Sequence, residues 1–238
     1  MKIIISPAKQ MKLIDDYDLE LTQPIFLSKS NELVKYIKTL RYEEIKKYFK
    51  CSDKLVLETM EQYISFEKSF LSPAILCFTG IQYQYMSPGV FNDDENKYIQ
   101  KHVRILSGLY GILKPFDGIR PYRLEMGLKY PFSLYEYWSD LIANSIEDDI
   151  ILNLASEEYA KCIRKYKKVV DVRFCQNNNG KLVEKAVYAK MARGAMVRFL
   201  AENKIESIDK IKLFHEFNYE YSKENSTDTL YTFIQKEA

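Results

Sequence analysis

Histidine is nearly absent: His102 and His215 are the only two in 238 residues. The four cysteines, Cys51, Cys77, Cys162 and Cys175, are scattered and form no C-x-x-C pair. Zinc centres draw on clustered His and Cys ligands, so neither a metal nor a cofactor is expected. The cysteines read instead as reduced, mostly buried thiols. Long apolar runs are missing as well. Ile3–Ile5 and Ile150–Leu152 are strand-sized, far below the roughly 18 residues of a membrane span. The run behind Met1 is too short for a secretory signal. These absences predict a cytoplasmic protein with no membrane partner. With 8 Gly and 7 Pro the chain is neither fibrous nor of low complexity. It contains no Walker A motif and no G-x-G-x-x-G, which disfavours the ordinary nucleotide-binding folds.

Apolar side chains are abundant, at 47%, beside 29% charged residues. A chain of this length buries roughly 70–75% of its unfolded surface and needs no disulfide or metal staple. No linker or repeat interrupts it, so residues 1–238 read as one domain. Tyrosine is plentiful, 19 against 13 Phe, and its apolar body and polar tip suit packing and base stacking alike. Charge is segregated. From Lys161 to Arg198 eleven Lys and Arg stand against Asp171 and Glu184. From Lys101 to Lys129 six stand against Asp117 and Glu125. The net charge is only +2, balanced by acidic runs such as Asp15-Asp16-Tyr17-Asp18 and Asp93-Asp94-Glu95. A chain polarised in this way can offer phosphates a basic face while staying near neutrality. A solvated Lys-rich face is the plainer alternative.

The hydrophobic pattern interleaves strands and helices. Short buried strands are predicted at Met1–Ser6, Ala74–Phe78 and Asp149–Leu154. Helical spacing covers Leu27–Lys50 with Ser28 or Ser30 as N-cap, then Lys54–Phe70 capped by Ser52-Asp53. A further helix runs from Asn92 or Asp93 to about Leu106, and another over Ser133–Ile146. Val169–Cys175 and Lys181–Ala189 flank the turn Asn177-Asn178-Asn179-Gly180 as a hairpin. Met191–Asn203 returns to helix, and Leu213–Tyr221 pairs with Leu230–Ile234. The expectation is one mixed α/β (α+β) domain, a mixed sheet surrounded by helices.

Four segments concentrate small and polar residues beside these elements. Ser6-Pro7-Ala8-Lys9 follows the first strand, where strand ends border clefts in open sheets; a simple turn is the alternative. Gly108 and Gly111 punctuate Leu106–Lys114, as in a helix-hairpin-helix element whose amides hold a DNA phosphate, though one residue further apart than in Gly-apolar-Gly; a helix C-cap turn explains them equally. Arg123 and Glu125, two apart, share a strand face, as an ion pair or as an acid/base group with its charge partner. Asn153 and Ser156 lie where a strand opens a helix, and Lys190 and Arg193 are expected at a similar junction, where a helix N-terminus accepts an anion. Lys9, Arg123, Lys190 and Arg193 are expected to line one cleft.

At these residues the chain resembles the YaaA family of bacterial peroxide stress resistance proteins. The matching segments are ISPAK at Ile5–Lys9, SDKL at Ser52–Leu55, ILSGLYGILKPFD at Ile105–Asp117, PYRLEMG at Pro121–Gly127, NLASEEY at Asn153–Tyr159 and AKMARG at Ala189–Gly194. The resemblance implies a cytoplasmic protein that protects DNA during hydrogen peroxide stress by keeping free iron low, with a compact mixed α/β fold, a basic cleft, a helix-hairpin-helix-like element and affinity for DNA. One departure stands out: the family's Gly-Asp-Val-Tyr run is Gly80-Ile81-Gln82-Tyr83 here, without the acid. Without a His/Cys cluster, direct iron storage is disfavoured.

Two functional readings follow. In the first, the protein binds DNA, duplex or single-stranded, with little sequence preference, through Ser6, Lys9, Lys114, Arg123, Asn153, Ser156, Lys190 and Arg193. In the second, the same basic cleft belongs to an enzyme acting on a nucleobase, nucleotide or modified nucleic acid, with Glu125 as acid or base beside Arg123. A Tyr-rich surface for a protein partner is a third, weaker reading. Oligomeric state is not encoded in any motif.

Overall fold

The computed structural model describes residues 1–128 and 131–236. Lys129, counted above in the second basic segment, lies outside the described residues. Eight strands form one mixed sheet: β1 (Lys2–Ile5), β2 (Val103–Ser107), β3 (Gly111–Leu113), β4 (Ile151–Leu154), β5 (Val170–Asn178), β6 (Lys181–Val183), β7 (Tyr219–Tyr221) and β8 (Leu230–Gln235). Their order is β7-β8-β5-β4-β1-β2-β3, and β6 pairs with β5 outside that path. The central five, β2, β1, β4, β5 and β8, are parallel; β3, β6 and β7 are antiparallel additions. Parallel strands are covered on both faces and so read as continuous apolar runs. Ile3, Ile4 and Ile5 are fully buried, and every residue of β4 is buried. The sheet continues to its far edge through a stack of Phe174 on Phe233, 5.5 Å between ring centres, which ties β5 to β8.

Among the described residues, seven α-helices of six residues or more surround the sheet: α1 (Leu27–Lys38), α2 (Tyr42–Phe49), α3 (Asp53–Ile64), α4 (Ile81–Met86), α5 (Asp93–His102), α6 (Glu157–Arg164) and α7 (Ala186–Glu202). Asn92 caps α5 as expected, its Oδ1 accepting from the N–H groups of Asp94 and Glu95 while Glu95 reaches back to Asn92 N–H.

The mixed architecture is as the sequence predicts, but several elements differ. The predicted helix Leu27–Lys50 is two helices. Leu40 lies between them, and Arg41 N–H donates to Glu44 Oε2 to begin α2. Neither serine caps α1; Ser30 Oγ donates to Phe26 O instead. The helix opened by Ser52 stops at Ile64. Ala74–Phe78 is mostly a buried helical turn, Ala74–Cys77, because periodicity cannot separate short buried runs. The helix expected to reach Leu106 ends at His102, and Val103–Leu106 becomes a central strand beside β1. Ser139, with φ of +47°, splits Ser133–Ile146 into two short helices. At the C-terminal end only Tyr219–Tyr221 of Leu213–Tyr221 is strand, since Phe217 and Asn218 turn the chain with positive φ.

The glycine hairpin is a larger correction. Gly108 lies in the turn between β2 and β3, two antiparallel strands, and Gly111 opens β3, so the pair does not join two helices. The reason for glycine is contact: a Cβ on Gly108 would fall 2.1 Å from Leu124 O. Gly111 has φ of +73° and lies against the Trp138 ring. A second close approach occurs in α7, where a Cβ on Gly194 would meet Gln82 O of α4 at 2.1 Å. Both clashes are with backbone, which cannot rotate away.

Gly194→Ala is therefore expected to cost about 3 kcal/mol, read as a lower urea midpoint. Gly89→Ala, with open space around it, should change stability by less than about 0.5 kcal/mol. Equal effects of the two substitutions would contradict the packing described.

Candidate functional site

The cleft opens at the carboxyl ends of β1 and β4. From β1 the sheet grows one way into β2, and from β4 the other way into β5. Such a reversal leaves a crevice beyond the strand ends. Ser6, directly after β1, and Ser156, which precedes α6, meet there. Ser156 N–H donates to Ser6 Oγ at 2.8 Å, and the two hydroxyls are 3.2 Å apart. Tyr83 Oη donates to Ser6 O at 2.9 Å, fixing the loop against α4.

A cavity of about 530 Å³ extends from this point. Ser6, Lys9, Arg123, Glu125, Ser156, Lys190 and Arg193 all line it. Three elements deliver the charged groups: the loop after β1, the Arg120–Met126 segment, and α7. The Arg120–Met126 segment is irregular rather than a strand, yet its two side chains still meet. Arg123 Nη2 lies 3.1 Å from Glu125 Oε1, and Lys9 Nζ lies 3.5 Å from the same oxygen. Tyr63 Oη donates to Arg123 O at 3.1 Å and anchors the segment from behind. Glu125 is only 8% exposed, whereas the Lys9 side chain is 72% exposed.

Lys190 and Arg193 correct another expectation. α7 begins at Ala186, and β6 ends already at Val183. The two basic residues therefore lie within the helix, and its first-turn amides are not part of the site. Helix-forming Ala186, Ala189, Ala192 and Ala195 explain the early start. Lys190 is exposed at the rim and has no ion pair among the described residues. Arg193 is deep, its Nη2 2.9 Å from Glu184 Oε1. Burial lowers the pKa of its guanidinium, and Glu184 and Asp171 oppose that effect.

Two predicted residues lie elsewhere. Lys114 is exposed in the turn after β3, over a small cavity with Lys2 and Asp117. Asn153 points into a neighbouring cavity that shares Arg193. Its amide donates to Asp171 Oδ1 at 2.7 Å, and its Oδ1 accepts from Ala155 N–H, so it braces the loop after β4.

Tyr83, Tyr122 and Tyr159 wall the cavity. Burial raises all three phenol pKa values far above ordinary tyrosine, so they are neutral walls. Tyr122 and Tyr159 sit inside the PYRLEMG and NLASEEY segments, where position beside charged residues was the available signal. Tyr63 had none. Gln82, in the run that lacks the family acid, is buried at the cavity wall and donates weakly to Leu154 O at 3.4 Å. Among the described residues no three His, Cys, Asp or Glu gather as a metal cluster.

The most informative feature is a set of unpaired atoms. Arg123 Nε, Glu125 Oε2 and Arg193 Nε are buried and without hydrogen-bond partners. All three belong to residues of this one cavity. Buried polar atoms are paired in the great majority of cases, and here three exceptions fall on residues that line one cavity.

Fold and cleft define the class: a mixed α/β protein with a polar, partly unsatisfied crevice at a reversal of strand order. Residues 1–225 match the family described as peroxide stress protein YaaA, and the chain belongs to that family. Relatives carrying the name UPF0246 protein are similar along their whole length. The one from Agathobacter rectalis is 45% identical, covering 99% of both chains. The one from Desulfitobacterium hafniense is 46% identical over 99% of this chain and 98% of its own. Membership supports a role in peroxide stress. No helix among the described residues is long and apolar enough to cross a membrane.

A peroxide role directs attention to the thiols. Burial pushes Cys77 and Cys162 up to about 12 and raises Cys175. The thiolate is the reactive form, so at pH 8 iodoacetamide followed by mass spectrometry should label half-buried Cys51 first. Rapid labelling of native Cys77 or Cys162 would contradict this order.

Proposed function

We propose that this chain is a cytoplasmic nucleic-acid-binding protein of the peroxide stress response, which limits iron-driven damage to DNA. The observation that carries the reading is the trio of unpaired buried atoms, Arg123 Nε, Glu125 Oε2 and Arg193 Nε, in one cleft, with exposed Lys9 and Lys190 at its rim. A cavity of about 530 Å³ has the size of a small-ligand pocket. It admits one nucleotide and not a duplex. DNA enters as a single strand, or with one nucleotide turned out of the stack. Lys9 and Lys190 then contact flanking phosphates, and affinity falls with salt through counterion release. Ser6 and Ser156 add neutral donors at the strand ends. Sequence preference is slight, because no recognition helix presents itself to a groove.

Glu125 favours an enzymatic version of the same site. One carboxylate oxygen is held by Arg123 and Lys9, and the other is buried without a hydrogen-bond partner. A buried carboxylate in that state can move a proton on a bound base.

Fluorescence anisotropy with duplex, single-stranded and bubble DNA across a salt series tests the reading. Single-stranded and bubble DNA should bind more tightly than duplex. Lys190→Ala should weaken binding uniformly across sequences and reduce the salt slope by about 1, and Arg193→Ala should weaken it more. Unchanged affinity in both variants would overturn the assignment. Intact DNA binding by Glu125→Gln together with lost peroxide survival in cells would establish the enzymatic version.

A further inference from the structure

We infer that the ligand group entering this cleft is a base edge with a ring N–H set between two carbonyl oxygens, as in the imide of thymine or uracil or the O6, N7–H, O8 edge of a guanine oxidised at C8. The inference rests on the reading above, that the cleft takes one nucleotide, and adds which face of the base it reads. The unpaired polar atoms are of fixed character. Arg123 Nε and Arg193 Nε can only donate, and the carboxylate oxygen Glu125 Oε2 accepts. The site therefore asks for two acceptors and one donor. The two guanidinium groups come from different elements, the Arg120–Met126 segment and α7, so the acceptors they meet are set apart on the ligand. In an imide the carbonyl oxygens are separated by the N–H, and that N–H faces the carboxylate.

The other bases fit less well. Adenine and unmodified guanine present N7 as a bare lone pair, which opposes Glu125 Oε2. The Watson–Crick edge of guanine needs one donor and two acceptors from the protein. Glu125 Oε1 is already engaged by Arg123 Nη2 at 3.1 Å and Lys9 Nζ at 3.5 Å. Cytosine has two acceptors and a donor, but its acceptors are adjacent, with the donor at the end. Oxidation of guanine at C8 changes this balance: N7 gains a proton between O6 and the new O8, which creates the imide-like edge that guanine lacks. The neutral tyrosine walls, Tyr83, Tyr122 and Tyr159, suit a flat heterocycle.

Isothermal titration of the intact protein with thymidine, 8-oxo-2′-deoxyguanosine, deoxyguanosine, deoxyadenosine and deoxycytidine tests the inference. At least one of the first two should bind tenfold or more tightly than the last three, and which one does separates a normal pyrimidine from an oxidised purine as the source. N3-methylthymidine, whose N–H is blocked, should bind at least tenfold more weakly than thymidine wherever thymidine binds. Glu125→Ala should erase the preference, and the methylated nucleoside keeps the test valid if that variant does not fold. Equal binding of all five nucleosides, or no binding of any, overturns the inference. If DNA affinity persists in the anisotropy assay beside such a result, only the imide assignment fails. If DNA affinity is absent too, the nucleic-acid reading fails with it.

Discussion

Two backbone contacts hold the cleft in shape. At Gly108 the hairpin after β2 lies directly on the carbonyl of Leu124, and at Gly194 helix α7 lies directly on the carbonyl of Gln82. The first seats the segment carrying Arg123 and Glu125. The second seats the helix carrying Lys190 and Arg193. Neither contact leaves room for a methyl group, so the distance between the two charged walls is set by main chain rather than by adaptable side chains. Interiors packed at this density deform little, so the walls do not shift to pair the buried atoms that lack partners.

The electrostatics of the site depend on that rigidity. Arg193 is half-buried beside an exposed carboxylate, Glu184, and Arg123 is half-buried beside the buried Glu125. Burying charge is tolerated when it is paired and hydrogen-bonded. Here each pair satisfies only part of its hydrogen-bonding capacity, and the unpaired atoms belong to residues that line one cavity. Such incomplete satisfaction lowers stability locally and is retained where it serves binding. Lys9 and Lys190 differ from these pairs. They are exposed, and their contribution is long-range and screened by salt.

Much of the architecture was legible in the residues. The unbroken Ile3–Ile5 run and the Asp149–Leu154 run announced buried strands, and Asn177–Gly180 announced a hairpin. The convergence of Ser6, Lys9, Arg123, Glu125, Ser156, Lys190 and Arg193 rests on small and polar residues gathering at strand ends. What local pattern did not contain was tertiary. Val103–Leu106 reads as the tail of a helix until β1 is placed beside it. Gly108 reads as a turn residue, and its reason lies sixteen residues away in Leu124. Lys114 carries the same charge as Lys190, and only the path of the hairpin puts it at another surface. Asn153 was grouped with the anion ligands because it follows a strand, yet its amide is spent on Asp171 and Ala155.

The strand β8 bears on where this domain ends. The family match stops at residue 225, but β8, at Leu230–Gln235, runs between β7 and β5 and pairs with β5 along six residues. A chain cut at the family boundary would leave the long β5 as a bare edge and expose the Phe174 ring that Phe233 covers. An unpaired apolar edge recruits strands from other molecules. The strand β8 thus serves as a cover against self-association, and versions of this protein lacking it would be governed by aggregation before any change in the cleft was felt.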